Sequence, residues 1–558
     1  MDVNDFLNQL ELLTGTPVKD VADSERSLIA GILSDGERPV DWRQFNELLL
    51  SLNKDRVQRP FFEFFFCSEG ATNTGLCQIK DLPLGIERFR KAAMLCFGNF
   101  IYAYRILSKV PTEQDLKSEL GEHCASSEKL LDALRGRLDK MIDTEPISRE
   151  DTYLTGYLSV REIVADNQRA KFLAEILDKN KDISWTEIKD AILANRKGAE
   201  AKELVALVAR FRRLQGEKAT TEDLRQRLSK DLPQLEEMKQ RLTRIQLQAE
   251  HNTDVYLTWD HMDIYFATSM RKRWEFEDLF DFLADLFKEE ALSDLKIRYF
   301  DPTQSFEKNR IDKGLIESLM LKRAACTVYS VQDTDTLGKD SELAATLAQG
   351  KAVIAYVPEI EIPERTDRLL IQRPLALRER LNFVFYAYEE FTSEFSEDRS
   401  FINEFVLKLD TFEETILWKS ISDDEADTKF REENTESLKK FCNIIARAEQ
   451  QIYSKRARTL IESHPLAIQV NLRTGVANGV LVVRTPKKCA ELLRAILLNQ
   501  LDFEIKDDPN TECWLLLEKS TQSIYRVVTK NRKLTNCFWN FYRDGKVKES
   551  DARQREEC

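Results

Sequence analysis

Histidine is scarce, at 4 in 558 residues, and none of the 10 cysteines forms a CxxC pair. The chain therefore lacks both the spacing of a zinc site and a disulfide framework, and no metal is expected. A reducing, cytoplasmic setting fits this cysteine usage. No apolar run approaches the roughly 20 residues needed to span a bilayer, so no membrane partner is expected. The opening MDVNDFLNQLELL lacks the basic start and apolar core of a signal peptide. Basic excess is missing too. The net charge is −13 and the sequence pI about 5.3, which argues against a dedicated nucleic-acid coat.

A chain of this length holds about three or four domains of roughly 150 residues each. Residues 1–150 read as mostly helical, with apolar residues at helical spacing in DFLNQLELL and FNELLLSLN. Within them Phe61, Phe62, Phe64, Phe65 and Phe66 follow Arg59-Pro60, a cluster expected to be packed core. Residues 151–252 are charged and helical. Leu224, Leu228, Leu232, Leu235, Met238, Leu242 and Ile245 form one apolar stripe, interrupted by Pro233, where a kink or a fresh helix start is expected. Residues 253–374 form an α/β domain, 375–460 return to amphipathic helix, and 461–545 read as a small α+β unit with an Asn478-Gly479 turn. In that last unit His464, Arg473, Arg484, Lys487, Lys488, Arg526, Lys530 and Arg532 would hold a phosphorylated ligand if they converged. Residues 546–558 read as a disordered tail.

The central segment carries the functional information. MDIYFATSMRKR is an apolar run ending in small and basic residues. It is followed by the helix-period FEDLFDFLADLFKE, a short strand LKIRYFD, a loop, the helix IDKGLIESLMLKRA and the strand ACTVYSV. DSELAATLAQGKAVIAYVP then reads as a helix with Asp340, Ser341 and Glu342 at its start, leading into a buried strand. This alternation predicts right-handed βαβ crossovers around a doubly wound parallel sheet, with ligands at the carboxyl ends of the strands, where Glu342 is expected.

These pieces resemble a TIR domain and, more distantly, nucleoside deoxyribosyltransferases. MDIYFATS is similar to the first TIR strand. IRYFDPTQSFEKNRIDKGLIESLMLKRAACTVYSV looks like the second strand, its mobile loop, the next helix and the third strand, and SELAATLAQGKAVIAYV resembles the glutamate-bearing helix and fourth strand. The resemblance implies a flavodoxin-like, TIR-like domain inside a larger chain, with Glu342 in the catalytic position. Two departures stand out. Gly338 occupies the place where many TIR domains have a tryptophan, and the fifth strand and last helix have no obvious counterpart after Pro358.

Cleavage of the nicotinamide–ribose bond of NAD+ releases a neutral leaving group from a cation, so one carboxylate that stabilises or attacks the oxocarbenium centre can suffice. At a helix start, Glu342 would be kept ionised by the dipole. The plainer reading has Asp340 or Ser341 capping that helix and Glu342 merely complementing its dipole. Ser269 and Arg271 after the first strand, Asp301 after the second, Ser330 ending the third, and Asp340 are further candidates for substrate binding. Tyr265 is expected to point into pocket or core, and Trp259 and Trp274 to serve packing.

Three functions fit. The first is an NAD+ glycohydrolase, with NAD+ as substrate and no cofactor, acting as a defence effector that is a homo-oligomer awaiting an activating ligand or protein. The second is a nucleoside or nucleotide N-glycosidase or deoxyribosyltransferase. The third is a non-enzymatic adaptor.

Overall fold

Six consecutive buried residues, Met262–Ala267, have no polar face to offer water, and such a run folds stably only as a strand covered on both sides. A computed structural model of the chain describes 23–36, 38–51, 59–67 and 75–82, isolated residues elsewhere up to 149, and 157–529 apart from 217, 260, 333–336, 379, 381–395, 422–423, 464–469, 472–475, 499 and 509–512. The tail and most of 83–156 lie outside these residues.

The helices Tyr157–Lys179 (α1), Trp185–Asn195 (α2) and Gly198–Gln215 (α3) lead into the 38-residue helix Thr221–Thr258 (α4). Then come Met262–Ala267 (β1), Arg273–Leu286 (α5), Tyr299–Phe300 (β2), Arg310–Arg323 (α6), Ala324–Ser330 (β3), Leu337–Ala348 (α7) and Ala352–Tyr356 (β4). Ile362–Ile371 (α8), Ser396–Thr415 (α9) and Asp424–Ser463 (α10) follow, before Leu481–Val483 (β5) and Pro486–Leu497 (α11). The five β strands form one all-parallel sheet in the order 2-1-3-4-5, each pairing in register, as in Tyr265↔Thr327↔Val353. Ile264 and Phe266 face α5 and α11 on one side. Tyr265 and Ala267 face the other side, where residues of α4, α6, α7 and α10 complete a second core. The parallel sheet thus carries helices on both faces, an α/β arrangement.

The expected boundaries are corrected in two places. The fifth strand and the helix after it come from 481–497, inside the segment read as a separate α+β unit. The Asn478-Gly479 signal masks the strand, because a three-residue run beside a turn reads as half a hairpin. The rest of that segment, Val470–Asn471, Val476–Asn478, Phe503–Asp508, Cys513–Glu518 and Ile524–Thr529, forms its own antiparallel sheet. The second correction concerns α4, which runs through residue 252 to Thr258 and through Pro233 without a fresh start. Its stripe is satisfied within the chain: Leu224, Leu228 and Leu235 are buried with α1, α2, α3 and Trp418, and Leu242 and Ile245 pack on Ile163. Of the phenylalanine cluster, Phe62 and Phe66 are buried against Phe45, with ring centroids 5.2 and 4.8 Å away. The side chains of Phe61, Phe64 and Phe65 lie outside the described residues. Among the described residues, no helix is long and apolar enough to cross a membrane.

Helices α8 and α10 are fastened to the sheet domain by a buried ionic group. Glu449 on α10 accepts hydrogen bonds from Arg365 Nε (2.6 Å) and Nη2 (3.2 Å) and from Arg380 Nη1 (3.1 Å). Arg380 also reaches Asp278 on α5 at 3.2 Å.

Candidate active site

Alternation along β1 sends Tyr265 into the core between the sheet and α6 and α7, where its ring is fully buried and stacks on Phe300 at 5.3 Å. Its hydroxyl is the one polar end of a buried ring and needs an acceptor. Glu342 Oε1 provides it at 2.9 Å. The Glu342 main-chain carbonyl in turn accepts from Thr346 Oγ1 (2.9 Å), and Thr346 lies 2.9 Å from Thr327 on β3, so this turn of α7 is stitched to the sheet. Two residues earlier Tyr329 donates to Asp340 Oδ1 at 2.8 Å. Two strand tyrosines thereby meet two carboxylates of one helix.

The electrostatics of Glu342 differ from the expected ones. The helix begins at Leu337, so Glu342 lies beyond its first turn and the dipole does little for it. Burial pushes its pKa up to about 7. The Tyr265 hydrogen bond acts against this, Glu317 on α6 adds to it, and Lys339 and Lys313 oppose it. Glu317 is itself raised, mainly by burial, with Lys313 3.8 Å away pulling it down. Near neutral pH Glu342 therefore exchanges between an acid and a base. It also lies short of the strand ends, because Tyr265 is the fourth residue of the six in β1.

The remaining expected residues do not join it. Ser269 is buried, and its amide donates to Gln332 Oε1 at 2.6 Å, while Thr268 Oγ1 reaches the same oxygen at 3.2 Å. Gln332 thus fills the crevice between β1 and β3 where the strand order reverses. Arg456 on α10 closes over it by donating to its carbonyl. The Arg271 side chain is exposed, and its amide is held by Glu275 Oε2 at 2.7 Å in the turn that starts α5. Asp301 is fully buried and caps the short turn Pro302–Gln304, accepting from the Thr303 amide and hydroxyl at 2.9 and 2.7 Å. It is spent on its own loop. Ser330 takes Lys339 Nζ on its carbonyl at 3.2 Å and lines a separate cleft of about 440 Å³ with Asp281, Tyr356, Glu361 and Arg484. Glu342 is not in that cleft. At Gly338 an added Cβ would meet nothing within 4 Å, so sterics do not exclude a larger residue there.

Among the described residues, the basic side chains near the C-terminus do not converge either. Arg484 holds the carbonyls of Val357 (2.8 Å) and Pro358 (2.9 Å), Lys488 pairs with Glu491 (2.7 Å), and buried Arg526 reaches the Gly350 carbonyl (3.0 Å). His464, Arg473, Lys530 and Arg532 lie outside the described residues. Trp259 and Trp274 are buried, as packing requires. Local spacing signals Glu342 but not Tyr265 as its partner, since the two stand 77 residues apart. No protein-family model, curated protein or solved structure matches the chain.

Proposed function

We propose that the protein is an NAD+ glycohydrolase that cleaves the bond between nicotinamide and ribose, with Glu342 as its central carboxylate. The observation that carries this reading is the pairing of Glu342 with Tyr265 in a sheet of order 2-1-3-4-5, an order shared by flavodoxin-like domains and consistent with the TIR resemblance. Ionised Glu342 stabilises the oxocarbenium centre or attacks it, and nicotinamide departs without needing a proton. The Tyr265 hydroxyl fixes the carboxylate's orientation and favours its charged form. NAD+ loss draws on a shared cellular pool, which fits a regulated defence effector in the cytoplasm whose active form is a homo-oligomer.

Purified full-length protein at high concentration is expected to release nicotinamide from NAD+ in step with NAD+ loss. Cleavage should increase with pH through about 7 as Glu342 ionises. Tyr265→Phe removes a hydrogen bond to the charged form, worth about 1.5 kcal/mol, and should move that midpoint up by about one pH unit. An unshifted midpoint would remove Tyr265 from the mechanism.

One observation favours a second reading. A carboxyl with a pKa of about 7 can also donate a proton, as departure of an uncharged base from a nucleoside requires. Release of free base from nucleosides by protein that leaves NAD+ intact would select the N-glycosidase or deoxyribosyltransferase function. Silence towards both, in monomer and oligomer, would select the adaptor.

A further inference from the structure

Three strands of the parallel sheet end at one open cleft. Ser330 closes β3, Tyr356 closes β4 and Arg484 follows β5, and all three line the cavity of about 440 Å³ between α5 and the starts of α8 and α11. Doubly wound sheets hold their ligands at this carboxyl edge. The crevice between β1 and β3 is filled by Gln332, whereas this cleft has room for a ligand.

The cleft is short of positive charge. Its carboxylates are those of Asp278, Asp281, Asp285, Glu359, Glu361 and Glu364, and against these six stand three guanidiniums. All three are already engaged: Arg365 with Glu449 (2.6 Å) and Asp278 (3.5 Å), Arg368 with Glu364 (2.9 Å), and Arg484 with the Val357 and Pro358 carbonyls. Among the described residues Asp281, Glu359 and Glu361 form no ion pair. Asp281 is held above the ordinary carboxylate range by partial desolvation, then by neighbouring Asp278 and Asp285, with Arg368 and Arg365 acting against them. A phosphate-bearing ligand would be repelled from such a cleft, and a cation drawn in.

Spacing selects the kind of cation. Among the described residues no three His, Cys, Asp or Glu side chains gather closely enough to hold a metal ion. Asp281 and Asp285 instead stand one turn apart on α5, about 6 Å along its axis, and ammonium groups joined by three or four methylenes repeat at about that interval. The surface beside these acids suits the methylenes, because Phe282 of α5 stacks on Tyr356 with ring centroids 3.8 Å apart. The Tyr356 hydroxyl has no hydrogen-bond partner among the described residues, and burial pushes its pKa far up. An enclosed hydroxyl of this kind has an oxygen ready to accept from an N–H donor.

The geometry points to a binding site for a linear aliphatic polyamine. Its ammonium groups meet Asp281 and Asp285 on α5 and Glu361 at the start of α8, its methylenes cover the Phe282–Tyr356 pair, and one ammonium donates to the Tyr356 hydroxyl while lying against its ring. The site is independent of the reaction proposed for Glu342, which does not line the cleft.

Isothermal titration of the full-length protein with spermidine, at about 0.15 M salt, is expected to show one molecule bound per chain. Asp281→Asn with Glu361→Gln should weaken binding about tenfold while leaving the melting temperature nearly unchanged, since both residues are exposed. Tyr356→Phe should weaken it about threefold. Glu436→Gln removes a charge from an exposed position of α10 outside the cleft and should leave binding as it is. Absence of binding overturns the site. So does an equal loss in Glu436→Gln, or displacement of spermidine by an equal concentration of magnesium chloride, since either would show counterions spread over a chain of net charge −13. Competition between NAD+ and spermidine would put the nucleotide in this cleft and overturn the charge argument.

Discussion

Glu342→Gln is expected to abolish NAD+ cleavage, by about a thousandfold or more, while making the protein harder to unfold. The two effects share one cause. Glutamine keeps an oxygen for the Tyr265 hydroxyl but cannot ionise, so it neither attacks nor balances a cationic centre. Stability moves the other way because the native pKa of about 7 stands above the ordinary value of 4.5. Folding thus favours the neutral form. The stability this group contributes is complete below about pH 4.5, declines as the pH rises through about 7, and is then constant. Above that pH the glutamine variant should be more stable by roughly 3 kcal/mol, and below pH 4.5 the difference should vanish. Urea unfolding at pH 5 and pH 8, alongside nicotinamide release, checks both. A variant that lost activity and stability together would make Glu342 a structural residue.

Glu449→Ala is expected to cost about 3–5 kcal/mol, since it strands two buried arginines with one carboxylate between them. Arg380 and Glu449 are each 1% exposed, so water cannot take over the lost partner. The group joins α5, α8, α10 and Arg380, and the first consequence should be separation of α8 and α10 from the sheet domain, read as early exchange of their amides before global unfolding. Glu449→Gln retains an acceptor and should cost less. A loss below about 1 kcal/mol for the alanine variant would show that the arginines find other partners.

Strands β1, β3 and β4 were legible in the sequence because a strand buried on both faces shows as a nearly continuous apolar run, as in AVIAY and in MDIYFA, where only Asp263 is charged. The helix bearing Glu342 was legible, but its start was placed too late. Asp333, Thr334, Asp335 and Thr336 are all cap-type residues standing before Leu337, so local sequence does not single out one start, and Lys339 on the Ser330 carbonyl and Tyr329 on Asp340 tie the first turn to β3. Asp301 and Ser269 follow strands, as ligand-binding residues do, yet the first is consumed by Thr303 and the second by Gln332. Both partners are set by the fold rather than by neighbouring sequence. Pro233 shows the same limit: it interrupts a stripe of leucines, but their burial against α1, α2 and α3 keeps the helix whole across it.

The late arrival of β5 determines when the sheet can be finished. Ile354 of β4 pairs with Leu481 only after all of 357–480 has been made, so during synthesis the open edge of β4 must wait while several helices emerge and assemble. Pairings this distant along the chain are slow to form, and an uncovered strand edge invites other chains to add to it. The nascent protein should therefore depend on chaperones until 481–497 emerge and complete the sheet.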